Sequence, residues 1–458
     1  MEDLLIKAVE RMRDRGAKFC DARMQSVKSM QIQVVDGAVR SLNTTRSGGV
    51  CFRSRSNGAW GYASCPSMDE AEVLAAAEAA VHNAQGGTAK GKEELKGIIT
   101  IGRVRAEVGK HPDDVPLKAK LALALDLDRA QRVDRKIVNT NALYLESVKN
   151  NEVVNSLGTS VEWEEVRGRL MAQAIASDAG RTEIFYDITD GTKGFDMFEA
   201  IDVEEIGRTT ATEAVKMLKA KKCPSGLLPC ITDSAITGLL AHEVMGHASE
   251  ADEVVKKRSF LTPMMGKKVA NPQITMLDDG TYEGAHGRIP FDDEGTPSSR
   301  TVIIDEGVYK GYMHSLETST EMGVRPTGNG RAESTSRRVF VRMTNTFFAP
   351  GDWRLDEMIE DVKYGVLTDK AISGMEDPVG GGFEAKALRG YMIENGRVTD
   401  MLRGFSLTGK ALDILKTTDA VGNRLELDGG TCGKGIEDFV PVSSGGPYCR
   451  SKIILGGG

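Results

Sequence analysis

Between Leu239 and His247 the chain reads LLAHEVMGH, which sets His242, Glu243 and His247 close together. Imidazole nitrogens are zinc ligands, and a neighbouring carboxylate can take the proton of a water that the metal has acidified. The common metallopeptidase spacing, H-E-x-x-H, separates its histidines by four residues. On a helix turning about 100° per residue this leaves them about 40° apart. Here the interval is five, and a regular helix would leave about 140° between the two side chains. The pair can grip one ion only if the helix widens or ends between them. Gly246 is placed to permit that, because glycine tolerates a break or a π-type bulge. The plainer alternative is a helix with two ordinary polar histidines and a solvated glutamate.

A catalytic zinc site also needs a third protein ligand and an open position for water. Glu250, Asp252 and Glu253 are near in sequence; His286, His314 and the seven cysteines are remote. Cys432 stands out because DGGTCGKG flanks it with glycines that allow close approach to another element. Cys20, Cys51, Cys65, Cys223, Cys230 and Cys449 read as structural strand or turn residues. Asn329 and Arg331, in GNGRAES, are candidates for holding an oxyanion. The glycine loop PVGGGFEAKA, residues 378–387, could let a peptide backbone pair as an added strand. Neither loop carries a nucleotide-binding pattern.

The elements that must position these groups are partly legible. Residues 2–15 read as an amphipathic helix ending near Gly16, and Asp36-Gly37 and Asn57-Gly58 are hairpin signals. Ser67 is expected to cap a second helix. Val39–Thr44 (VRSLNT) resembles Val154–Thr159 (VNSLGT), and the second copy also ends in a helix, a partial recurrence that suggests a duplication. GGTAKGKEELKG connects the copies, and HPDDVPLKAKLALALDLDRAQRV reads as a further helix. KKCPSGLLPC breaks the pattern near residue 224. Beyond it lies the histidine helix, capped by Asp233 or Ser234, followed by the hairpins TVIIDEGVYKGYM and RGYMIENGRVTDM. The expected fold class is α+β, with an N-terminal domain of hairpins and helices (1–222) and a C-terminal, mainly antiparallel β-sheet catalytic domain (223–458).

The bulk numbers exclude some classes. A chain of 458 residues suggests two or three domains, and its net charge of -7 lacks the basic footprint of a nucleic-acid binder. No apolar run is long enough to cross a bilayer, and the N-terminus does not read as a signal peptide. An odd number of cysteines without framework spacing points to a reducing cytoplasm.

HEVMGHASEAD, FDDEGTP (291–297), GNGRAES (328–334), RMTNTFFAPGD (342–352), VGNRLELDGGTCGKG (421–435) and the terminal ILGGG resemble, in this order, the C-terminal half of the TldD branch of the TldD/PmbA metalloprotease family. The N-terminal half, with GAKFCDARMQ, is similar but less specific. The resemblance implies zinc held by His242, His247 and Cys432, with Glu243 as general base, and makes the five-residue interval the family's normal form. It also implies that the PmbA (TldE) branch lacks the histidine motif, which places this chain on the catalytic side. Further implications are a homodimer, or a heterodimer with a PmbA/TldE-type chain, and a cavity admitting short or unfolded polypeptides. The chain departs from the family's more glycine-rich segment at Val244, Met245, Ala248 and Ser249, and residues 253–270 are only loosely similar. The expectation is a cytoplasmic zinc peptidase without nucleic-acid or membrane partners. The competing readings are a non-catalytic binding subunit with a structural metal, and a metallohydrolase that does not cleave peptides.

Overall fold

The computed structural model describes residues 2–89, 94–377, 379–434 and 439–457. Residues 90–93 of the Gly- and Lys-rich connector, Pro378 of PVGGGFEAKA, Gly435 of the TCGKG run and the last residue of ILGGG lie outside the described residues.

The first sheet grows from long hairpins. Helix α1 (Glu2–Asp14) precedes strands β1 (Phe19–Val35), β2 (Ala38–Ser56) and β3 (Ala59–Cys65), and α2 (Glu70–Gln85) follows. Asp36-Gly37 and Asn57-Gly58 both hold positive φ at each position, as the two-residue turns that suit strand twist require. Next come β4 (Ile101–Val104), α3 (Leu117–Ala130), β5 (Ile137–Asn155), β6 (Ser160–Asp178), β7 (Arg181–Gly191), a single-turn α4 (Asp196–Glu199) and α5 (Val203–Met217). The strand order is β3-β2-β1-β5-β6, with β4 and β7 sharing the outer edge of β6.

A helix, a three-stranded meander and a second helix thus occur twice, joined where β1 and β5 pair antiparallel. The repeat is in element order and not in the matched hexapeptides. Val39–Thr44 lies inside β2, whereas Val154–Thr159 runs off β5 into the next turn. The cap of α2 also differs from expectation. Asp69 is its N-cap, accepting from the amides of Ala71 and Glu72, while Ser67 Oγ accepts from the Asp69 amide. The carboxylate two residues on has the better reach into the first turn.

The remaining strands are β8 (Gly226–Thr232), β9 (Met276–Asp279), β10 (Arg300–Asp305), β11 (Val308–Tyr309), β12 (Gly330–Arg331), β13 (Phe340–Val341) and β14 (Asn345–Phe348). They continue with β15 (Tyr364–Asp377), β16 (Gly382–Glu394), β17 (Arg397–Lys410), β18 (Ala420–Val421), β19 (Glu426–Cys432), β20 (Val440–Gly446) and β21 (Cys449–Gly456). One sheet has the order β11-β10-β9-β14-β20-β19, and β12 and β13 form a ribbon. The other runs β17-β16-β15-β8-β21-β18, and β17 also pairs with β21, so five strands close on themselves. The fold is α+β and mainly antiparallel, with parallel pairing of strands at β4–β6, β8–β15 and β14–β20. The largest apolar core includes Leu240, Val244 and Met245 of the histidine helix together with Met276, Phe348, Phe383 and Phe405 from the two sheets. The helix that carries His242 and His247 is therefore a core element.

The FDDEGTP run joins the first sheet to the rest. Arg53 Nη1 reaches Glu294 Oε1 at 3.0 Å and Arg53 Nε reaches Asp21 Oδ2 at 2.9 Å. Gln25 donates to Asp293, and Arg23 lies 3.3 Å from the same carboxylate. Among the described residues no helix is long and apolar enough to cross a membrane.

Candidate metal centre

The site starts at Asp233, the N-cap of α6 (Ser234–Leu239). Its carboxylate accepts from the Ile236 amide, and also from Thr368 Oγ1 (2.6 Å) and the Lys370 amide (2.8 Å) of β15, which fixes where the helix begins. α6 then lies against β20 so closely that a Cβ on Gly238 would stand 2.5 Å from the Gly445 nitrogen.

From Leu240 to Gly246 the helix is a π-helix, and the His247 amide bonds to the His242 carbonyl, five residues back. The wide turn removes the angular objection to the five-residue interval. The two rings come to a centroid separation of 5.1 Å, nearly perpendicular at 83°. A Cβ on Gly246 would meet Met343 Sδ at 2.2 Å and the Ala241 carbonyl at 3.2 Å, so glycine lets the Met343 thioether pack directly against the wide turn.

Cys432 arrives at the end of β19, and its Sγ lies 3.4 Å from His247 Nε2. One donor atom from each of His242, His247 and Cys432 falls within 4.8 Å of the others, and all three residues are buried. Among the described residues no other group of three or more His, Cys, Asp or Glu has this proximity. In general zinc takes imidazole and thiolate ligands at about 2.0–2.3 Å, and a catalytic site uses three protein ligands and leaves one position open. His242 Nδ1 is buried without a hydrogen-bond partner among the described atoms, as a buried polar atom rarely is. The electrostatics point the same way. Burial pushes the Cys432 thiol up, but the imidazoles of His242 and His247 overcome this and hold it well below its ordinary value. Burial works to lower both histidines, and the Cys432 thiolate raises them instead. The pairing is of thiolate with imidazolium, and a metal cation would take the place of the ring protons on binding.

Glu243 is half-buried and lies over β15: a Cβ on Gly374 would be 3.1 Å from its Cγ. Leu239, against the same glycine, continues this side of the helix into a cavity of about 580 Å³ between β15 and β19, walled by Ile372, Leu427, Asp428 and Tyr186.

The other ligand candidates are placed elsewhere. Glu250 stands behind His247, its Oε2 3.3 Å from Nδ1, and Asp252 pairs with Lys434. Glu253 is bound by Arg258. His286 is pushed down to about 2, first by burial and then by Arg167, Arg169 and Arg331, and it does not join the cluster. His314, lowered to about 4 by burial, stands beside Thr318. The candidate oxyanion donors Arg331 and Asn329 both have other partners here. Arg331 donates to the Met343 and Pro441 carbonyls, and Asn329 to Asp278 and the Arg342 carbonyl, so both are committed to the walls behind the site. The six other cysteines are buried and unpaired. Sequence reasoning missed Arg342 and Lys434. The available signal was a cation opening RMTNTFFAPGD and another two residues past Cys432 in a glycine run.

Sequence models of PmbA/TldA metallopeptidase domain 1, central domain and C-terminal domain match residues 20–84, 110–218 and 225–455. A metalloprotease of Methanothermobacter thermautotrophicus is 33% identical over 96% of this chain and 96% of its own. This chain belongs to the PmbA/TldD metallopeptidase family. A metalloprotease TldD homolog of Haemophilus influenzae is 30% identical, covering 99% of this chain and 96% of its own. The PmbA/TldD fold extends to the crystal structure of TldE from Thermococcus kodakarensis, with a TM-score of 0.79 at 18% identity and 100% coverage of both chains.

Proposed function

We propose that this PmbA/TldD member is a zinc-dependent peptidase of the TldD branch, acting on short or unfolded polypeptides. The observation that carries the reading is the π-helix, which brings His242 and His247 to Cys432 with Glu243 beside them. Those three residues would hold the ion, and the N,N,S donor set favours zinc. Zinc bound there supplies Lewis acidity toward water and the peptide carbonyl. Glu243 takes the proton of the attacking water and returns it to the amine as the peptide bond breaks. Its half-buried place beside the cluster suits a carboxylate that works within reach of one water. The cavity of about 580 Å³ between β15 and β19, lined by Leu239 of the same helix, is where a peptide segment would lie in this reading.

In this reading residues 223–458 form the catalytic domain, and residues 1–222 form a second domain whose β7 contributes Tyr186 to the cavity wall. The likeness to TldE supports a second chain of that type, or a second copy, as the partner. Seven buried, unpaired cysteines suit a reducing cytoplasm.

The test is digestion of an unfolded peptide mixture with and without chelator, read by mass spectrometry. Chelator-sensitive products are expected. No products, even with a PmbA-type chain added, would leave the binding-subunit reading in place of this one.

A further inference from the structure

We infer that Glu250 and Lys434 are positioning residues of the proposed metal centre, locking the His247 ring and the Cys432 loop in register. The inference rests on the zinc reading above and adds to it the groups that set ligand geometry.

Glu250 is 0% exposed, and a carboxylate that deep needs partners. Its Oε2 lies 3.3 Å from His247 Nδ1, while Nε2 of the same ring faces Cys432 Sγ at 3.4 Å. A carboxylate at Nδ1 keeps the proton there and turns the Nε2 lone pair toward the thiolate and the ion. Lys434 Nζ donates to Glu250 Oε2 at 2.9 Å, to Asp252 Oδ1 at 2.8 Å and to the Val341 carbonyl at 3.1 Å, so all three ammonium hydrogens find acceptors.

The placement along the chain is what makes this a lock. Lys434 follows Cys432 by two residues, and Glu250 follows His247 by three. Their ion pair therefore ties together two ligand-bearing segments whose ligands are 185 residues apart in sequence. Arg342 closes the ring, donating through Nη2 to the Cys432 carbonyl (2.8 Å) and Sγ (3.1 Å), with its Nε 3.8 Å from Glu250 Oε1. As a purely stabilising device this network would be poor, since well-packed apolar residues often replace buried ion pairs at no cost in stability. Its members converge instead on one ligand ring and one ligand loop.

The experiment measures zinc affinity by competition with a chromogenic chelator, and the cobalt(II) absorption spectrum, for the full chain and for Glu250→Gln, Lys434→Met and Lys434→Arg. Circular dichroism and Tm report folding. Glu250→Gln and Lys434→Met are expected to bind zinc about 10- to 100-fold more weakly, with altered cobalt bands, and Lys434→Arg to recover most of the loss. A lowered Tm with parental zinc affinity and parental cobalt bands would make the residues merely structural and overturn the inference. If Lys434→Met fails to fold, the near-isosteric Glu250→Gln decides: affinity within about twofold of the parent overturns it, given the loss expected for such partners. If the parent chain binds no zinc, the zinc reading itself falls, which is a different result from a parent and variants that bind equally.

Discussion

Glu243 and Cys432 carry separable predictions, because one is read as moving a proton and the other as holding the ion. Glu243→Gln is expected to keep zinc and to lower kcat/KM by about 10²- to 10⁴-fold, the usual worth of a positioned general base. Metal analysis beside a peptide-cleavage assay checks both halves. Cys432→Ser is expected to lose zinc as well as activity, because a neutral hydroxyl replaces a thiolate that two imidazoles stabilise; retention of stoichiometric zinc after dialysis would remove Cys432 from the ligand set. His242, His247, Glu243 and Cys432 were legible as candidates from residue type and glycine context. Glu250 was legible only as an acid near the histidines. Whether it faces the ion or stands behind His247 depends on where the π-helix ends, and spacing does not state that.

At the scale of elements, the π-helix and the strands around it are held by glycine. Gly238 abuts the backbone of Gly445, which cannot turn aside, whereas Gly246 abuts the thioether of Met343, which can. Gly238→Ala is therefore expected to destabilise by about 1–3 kcal/mol, with Gly246→Ala at or below the lower end, as for overpacked sites that differ in how far a neighbour can give. Thermal unfolding of the two variants checks the order. Hairpins at Asp36-Gly37, Asn57-Gly58 and Asn395-Gly396 could be read from sequence because their positive φ values admit few residue types. The cap of α2 was misplaced by two residues, since Ser67 and Asp69 are both competent caps and only the helix start separates them.

For the whole molecule, the decisive contacts are buried charges that join the first sheet to the strands bearing the site. Glu294→Ala leaves Arg53 short of a buried partner and exposes the Leu316 amide to an unmet hydrogen bond. A loss of about 3–5 kcal/mol is expected, measured by denaturant unfolding of the full chain. Inside the first sheet, Glu165 supplies a pH dependence. Burial pushes its carboxyl up, but Arg167 and Lys149 overcome this and hold it at about 2, against an ordinary 4.5. A depressed carboxyl contributes stability that is present above the ordinary value and lost as pH falls toward the folded one. Stability is thus expected to decline from about pH 4.5 toward about pH 2, by at most about 3 kcal/mol from this group. Glu165→Gln is expected to flatten that part of the profile in urea titrations at successive pH values. The FDDEGTP and GNGRAES runs were visible as motifs, but their work as a clamp was not, because their partners Arg23, Gln25 and Arg53 lie more than two hundred residues away in the chain.

The sequence by itself determined which residues could do the chemistry, the α+β class with its hairpin turns, and the family, because these follow from side-chain type, local backbone preference and the order of motifs. It also set out the terms of the five-residue interval, naming Gly246 as the residue that could relieve it. Tertiary structure decided the rest. Packing of the helix against Gly445 and Met343 accommodates the π-register, closure of β19 onto β20 delivers Cys432 to His247, and buried ion pairs turn Glu250 from a candidate ligand into a partner of one. These outcomes depend on contacts between distant parts of the chain, which local periodicity does not encode.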